Sequence, residues 1–96
     1  MLINLRNTSY KLSFSNSSEK YLKKLRKRNK EDFDNLLNSI KSILNDPYDS
    51  KLLHGKFEGL RRIKYSNYRI VFFINNESNP QEILIIEIGK RKNIYK

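Results

Sequence analysis

The stretch Gly59-Leu-Arg-Arg-Ile-Lys-Tyr-Ser-Asn-Tyr-Arg69 holds four cations within residues 61–69 and no carboxylate. Two strand-like runs, residues 60–65 and 68–74, flank Ser66-Asn67, and asparagine tolerates the positive φ that two-residue hairpin turns require. With that pair as the whole loop, Tyr65 stands opposite Tyr68, Lys64 opposite Arg69, Ile63 opposite Ile70 and Arg62 opposite Val71. Directly opposed residues share one face of a sheet, so Arg62, Lys64 and Arg69 converge. Opposed like charges weaken a hairpin by up to about 1 kcal/mol, and a chain that keeps them gains an anion-binding surface.

After the hairpin, Asn75-Asn-Glu-Ser-Asn-Pro80 is a polar, turn-rich segment. The run Ile83-Leu-Ile-Ile-Glu-Ile88 is apolar on both faces except at Glu87, which places it inside the sheet with helices over at least one face. Gly89 breaks it, and Lys90-Arg-Lys-Asn-Ile-Tyr-Lys96 is a short basic tail. Before the hairpin, residues 47–58 read as a connecting loop with His54-Gly55 near its middle. Further back, Phe33, Leu36, Leu37, Ile40, Ile43 and Leu44 follow the 3.6-residue helical period. Asn29 can cap that helix, Glu31 and Asp32 favour its positive end, and Pro47 stops it. Ser15-Asn-Ser-Ser18 offers several possible N-caps for a preceding helix, among which Asn16 with Glu19 resembles a capping box, and that helix has Tyr21, Leu22 and Leu25 on one side and Lys20, Lys23, Lys24 and Lys27 on the other. The two helices should form an antiparallel hairpin. Tyr10-Lys-Leu-Ser-Phe14 alternates as a strand, and residues 1–8 are a loose N-terminal extension. The expectation is one α+β domain over residues 1–96, ordered β-α-α-β-β-β, with an antiparallel sheet packed by an N-terminal αα-hairpin.

Composition narrows the function. The chain of 96 residues has 20 Lys+Arg against 10 Asp+Glu, a formal charge of +10, and no cysteine. Disulfides and thiolate-bound metals are therefore excluded, and a basic excess of this size on a small body points to a polyanionic or acidic partner. The charge is segregated: residues 19–30 hold seven cations and one anion, while residues 61–69 and 89–96 each hold four cations and no anion. No apolar run is long enough to span a bilayer and the N-terminus lacks the pattern of a signal peptide, so a cytoplasmic protein without membrane contact is expected. The lysine row of the first helix fits a solvated face and a polyanion-contacting face equally well.

Little chemistry is left open. His54 is the only histidine and reads as a loop residue, no carboxylate pair has ligand-like spacing, and phosphate-loop fingerprints are absent. Neither a metal nor a cofactor is expected. Cations and tyrosines remain, and these suit cleavage of RNA by its own 2′-hydroxyl. That reaction needs a proton acceptor, a stabiliser of phosphoryl charge and a donor for the departing 5′ oxygen. Arginine grips phosphate and keeps its proton, which suits Arg69 and Arg91 to charge stabilisation, whereas Lys64 is the better base and Tyr95 a ring for stacking or a phenol for protonation. A phosphate-binding surface without catalysis fits the same composition.

The segments Leu53-His-Gly-Lys-Phe-Glu-Gly-Leu-Arg-Arg-Ile-Lys-Tyr-Ser-Asn-Tyr-Arg-Ile-Val-Phe72 and Ile85-Ile-Glu-Ile-Gly-Lys-Arg-Lys-Asn-Ile-Tyr95 resemble the RelE group of the RelE/ParE toxin superfamily, over most of residues 9–96. The resemblance implies a toxin of a type II toxin–antitoxin pair. It implies a ribosome-dependent endoribonuclease that cuts mRNA without metal and is silenced by an acidic or amphipathic antitoxin. By motif, Arg69 and Arg91 would be the phosphate-stabilising arginines, Arg62 and Lys64 the basic pair that includes the general base, and Tyr95 the ring that stacks on substrate. A shift of the hairpin by one residue would bring Arg61 into the site in place of Arg62. Lys20, Lys23, Lys24, Lys27, Arg61, Lys90 and Lys92 would contact messenger or ribosomal RNA. The rival readings are the ParE group, which poisons DNA gyrase, and a non-catalytic relative that binds RNA or antitoxin. Retention of Arg69, Arg91 and Tyr95 favours the RelE group.

Overall fold

The structure, a computed structural model, describes residues 10–90. Its elements are β1 (Lys11–Phe14), α1 (Asn16–Arg28), α2 (Lys30–Asn45), β2 (Lys51–Leu52), β3 (Arg61–Tyr65), β4 (Tyr68–Asn75) and β5 (Glu82–Lys90), with a single 3₁₀ turn at Gly55–Phe57 among the described residues. The five strands form one sheet in the order β1-β5-β4-β3-β2. β5 is therefore interior, as its apolar run requires.

Two features depart from the sequence reading. The sheet is mixed, because β1 runs parallel to β5 while the other pairs are antiparallel. The connection expected to be loop also holds the short strand β2, whose Lys51 and Leu52 pair with Arg62 and Arg61. Two residues are too few to show a period.

Both helices pack on one face of the sheet. Leu22 and Leu25 of α1 and Phe33, Leu36, Ile40, Ile43 and Leu44 of α2 join Tyr68, Ile70, Phe72, Ile83, Ile85 and Ile88 in one core. The α2 stripe is the one its periodicity predicts, apart from Leu37, which is half-buried at the core margin. Asn29 caps α2 as expected, its Oδ1 accepting from the Asp32 N–H at 3.1 Å. The cap of α1 is Ser15 rather than Asn16. Ser15 Oγ accepts from the Ser18 N–H at 3.1 Å and donates to the Ile86 carbonyl at 2.7 Å, while the Ser15 N–H donates to the Ile85 carbonyl at 2.8 Å. Contacts to β5 thus fix where α1 begins.

Those carbonyls flank an irregularity that decides the orientation of β5. Phe72 pairs with Ile85 but Val71 pairs with Glu87, so Ile86 is an extra residue, a β-bulge. A strand's side chains alternate, and after buried Ile83 and Ile85 an unbroken strand would turn Glu87 into the core. The bulge shifts the phase by one, so that Ile88 is buried at 3% exposure and Glu87 is turned to the opposite face.

Candidate functional site

The β3–β4 hairpin has the register Tyr65–Tyr68, Lys64–Arg69, Ile63–Ile70, Arg62–Val71 and Arg61–Phe72. Its turn is narrow, and of its two residues Ser66 carries the positive φ, at 55°, instead of Asn67. A turn of the II′ type needs positive φ only at its first central position, which explains the reversal. Ile63, Tyr65, Tyr68, Ile70 and Phe72 face the helices. Arg62, Lys64, Arg69 and Val71 occupy the other face.

Two phenols lock that phase. Tyr65 Oη accepts from Asn35 Nδ2 at 2.8 Å, and Tyr68 Oη donates to Asp32 Oδ2 at 2.8 Å, both partners lying on α2. Burial, helped by the hydrogen bond to Asp32 and its charge, pushes the Tyr68 phenol up to about 12, so it remains a donor at any physiological pH. A slip of one residue would break both bonds and turn Ile70 outward.

Arg61 therefore points away from Arg62. Its Nη1 donates to the Ser50 carbonyl at 3.2 Å, and its guanidinium carbon lies 5.0 Å from the centroid of the Tyr48 ring. Arg62, with Lys64 and Arg69, is the member of the pair on the cationic face.

On that face Arg69 is only 5% exposed and the Nε atoms of Arg62 and Arg69 are both buried, whereas Lys64 reaches solvent. A guanidinium stays charged at any physiological pH, so Arg69 keeps a fixed positive charge within this face of the sheet. Val71 is 1% exposed although it faces away from the helices. Phe57 and Leu60, from the β2–β3 connection, join Val71, Glu87 and Gly89 around a cavity of about 420 Å³. Gly55 and Gly59, at φ of 72° and 88°, bracket the 3₁₀ turn that brings Phe57 there, a left-handed backbone that other residues adopt only under strain.

Across the next strand, Gly89 is directly opposite Arg69 and Glu87 opposite Val71. The cationic face thus includes a carboxylate that sequence reasoning did not assign to it. The available signal was a lone charge in an apolar run, which implies a phase change. Glu87 Oε1 lies 3.4 Å from Ser17 Oγ, at the limit of a hydrogen bond.

The remaining candidates are separated from this cluster. Lys20, Lys23, Lys24 and Lys27 are exposed on α1, on the side opposite buried Ser18, Leu22 and Leu25, and hence across the sheet from Arg69. Lys90 pairs with Tyr68 on the helix face, its Nζ 5.9 Å from the ring centroid. Arg91, Lys92 and Tyr95 lie outside the described residues, as does the N-terminal extension. His54 is exposed at the start of the 3₁₀ turn. Among the described residues no cluster of three or more His, Asp or Glu could hold a metal, and no helix is long and apolar enough to cross a membrane.

Comparison with known proteins agrees with this architecture. Two solved structures share the fold: the YoeB/ParE toxin from Agrobacterium tumefaciens, at TM-score 0.73 and 15% identity over 83% of this chain and 96% of that one, and the toxin–antitoxin complex RelBE2 from Mycobacterium tuberculosis, at TM-score 0.62 and 18% identity over 85% and 98%. No curated protein matches the sequence at a significant level. The family model described as the ParE toxin of type II toxin–antitoxin systems matches residues 12–95, so the chain belongs to that family and is a type II toxin of the RelE/ParE superfamily.

Proposed function

We propose that this toxin is a metal-independent, ribosome-dependent endoribonuclease that cuts messenger RNA. The observation that supports it most is the meeting of Arg62, Lys64 and Arg69 on one sheet face, with Arg69 buried. In the proposed reaction the 2′ oxygen attacks the adjacent phosphorus, the bond to the 5′ oxygen breaks, and a 2′,3′-cyclic phosphate and a 5′-hydroxyl remain. Lys64, in its neutral form, accepts the 2′-hydroxyl proton, and Arg62, which keeps its own proton, holds positive charge beside it. Arg69 and Arg91 neutralise the charge growing on the phosphoryl oxygens, and Tyr95 stacks on the substrate base or protonates the leaving oxygen. The lysine row of α1 docks on ribosomal RNA, which makes association strongly salt-dependent, and Lys90 and Lys92 contact RNA as well. In the growing cell an acidic or amphipathic antitoxin covers the cationic face; the similar Mycobacterium tuberculosis structure is itself a toxin–antitoxin complex.

Primer extension on translated message tests the reading. Arg69→Ala should lower cleavage by about 100-fold or more while co-sedimentation with ribosomes survives. Equal loss of both would reassign Arg69 to docking, and cleavage abolished by EDTA with ribosomes intact would end the metal-free mechanism. The match to a model of ParE toxins favours a second reading, inhibition of DNA gyrase. Growth arrest with intact message and failing supercoiling would establish it in place of the first. Expression with neither effect would leave a non-catalytic binder of RNA or antitoxin.

A further inference from the structure

A second cavity, of about 380 Å³, opens on the helix side of the sheet at the same end as Arg69. Tyr21, Arg28 and Asp32 from the helical hairpin line it with Tyr68 and Lys90 from the sheet. Arg28 and Lys90 are both exposed and bring two positive charges to its mouth. The single carboxylate is already engaged, since Asp32 Oδ2 accepts from Tyr68 Oη at 2.8 Å and from Asn29 Nδ2 at 3.0 Å.

This cavity adjoins the cationic face. Lys90 follows Gly89, the residue opposite Arg69, so the two sites are consecutive positions on β5 that point to opposite faces. β1 pairs with β5 only as far as Ile85, and among the described residues no strand covers the edge of β5 beyond that point. Half-buried Tyr21 stands at this open edge and lines both cavities. An aromatic ring between two cationic sites is the usual device for holding single-stranded nucleic acid, with a base on the ring and phosphates on the cations.

We infer that a single-stranded RNA held at Arg69 continues over the open edge of β5, stacks a base on Tyr21 and places a flanking phosphate between Arg28 and Lys90. The inference rests on the endoribonuclease reading above and adds a subsite that does not touch the scissile phosphate. Neither Arg28 nor Tyr21 belongs to the basic hairpin, and charge counting alone does not set Arg28 apart from the other cations of residues 19–30.

Fluorescence anisotropy with a labelled, 2′-O-methylated single-stranded hexaribonucleotide tests it without interference from cleavage, using the full chain and confirming folding by circular dichroism. Arg28→Ala/Lys90→Ala should weaken binding about 10-fold and reduce the log–log salt slope by about 0.7, the value for one phosphate contact on a single strand. Tyr21→Ala should weaken it by about 5-fold or more while Tyr21→Phe retains it, because stacking needs the ring and not the hydroxyl. If Arg69→Ala weakens hexamer binding and the double variant does not, the subsite is wrong and the endoribonuclease reading stands. If neither variant alters binding, both fall. Unchanged hexamer affinity with lost affinity for the cognate antitoxin would also overturn the inference and assign the cavity to the protein partner.

Discussion

Lys64 and Arg69 face each other directly across β3 and β4, on the sheet face that the helices leave uncovered. Two like charges in a cross-strand pair oppose hairpin formation, and here one of them is buried.

Replacing Lys64 should therefore separate stability from activity. Lys64→Ala is expected to raise the free energy of unfolding by a few tenths to about 1 kcal/mol through relief of that repulsion. The same change should lower message cleavage by about 100-fold or more if Lys64 is the general base. Urea denaturation and primer extension read the two effects. A variant that is both less stable and fully active would contradict both halves.

Arg61 and Arg62 are neighbours on opposite faces, and their alanine variants should differ in kind. Arg62→Ala should reduce cleavage by about 100-fold. Arg61→Ala loses its bond to the Ser50 carbonyl and its contact with Tyr48, and should cost about 1 kcal/mol of stability with cleavage changed by less than about 3-fold. Strong loss of cleavage in Arg61→Ala alone would mean that the hairpin is shifted by one residue in the active complex.

The start of α1 offers a purely structural test. Ser15→Ala removes both the cap of α1 and a donor to the bulged strand, and should destabilise by about 2 kcal/mol. Asn16→Ala, in the first helical turn, should change stability by less than about 0.5 kcal/mol. The reverse order in thermal or chemical denaturation would restore Asn16 as the cap.

Tyr68 links stability to pH at the alkaline end. Its phenol is raised from an ordinary value of 10.0 to about 12 in the fold, so the folded state holds this proton more tightly than the unfolded state. The stabilisation is complete below pH 10 and is lost as pH rises from 10 to about 12. At pH 8, Tyr68→Phe should be less stable than the wild type by about 1–3 kcal/mol, because Asp32 loses its donor. That difference should narrow above pH 10. A gap independent of pH would show that the phenol titrates normally.

The helices and the hairpin were legible because each rests on a local period. Phe33, Leu36 and Ile40 recur at the helical repeat, and the pairing of Lys64 with Arg69 follows from a two-residue turn and simple alternation. The sequence points to Asn67 for the positive φ of that turn, whereas Ser66 carries it, because the turn type depends on the twist of the paired strands. The candidate site was legible to the extent that it lies on the hairpin. Glu87 and the wall formed by Phe57 and Leu60 were not.

From its sequence alone this chain specifies two amphipathic helices, an interior final strand, and a hairpin that turns Arg62, Lys64 and Arg69 to one side, since each depends on residues a few positions apart. Tertiary structure decided the rest. The bulge at Ile86, which turns Glu87 outward, and the cap of α1 at Ser15 meet in a hydrogen bond between residues 71 positions apart. The parallel pairing of β1 with β5, and the separation of the lysine row from Arg69 by the helix layer and the sheet, likewise arise only when distant segments share one core. No local period encodes such contacts, because their energy exists only after the chain has folded back on itself.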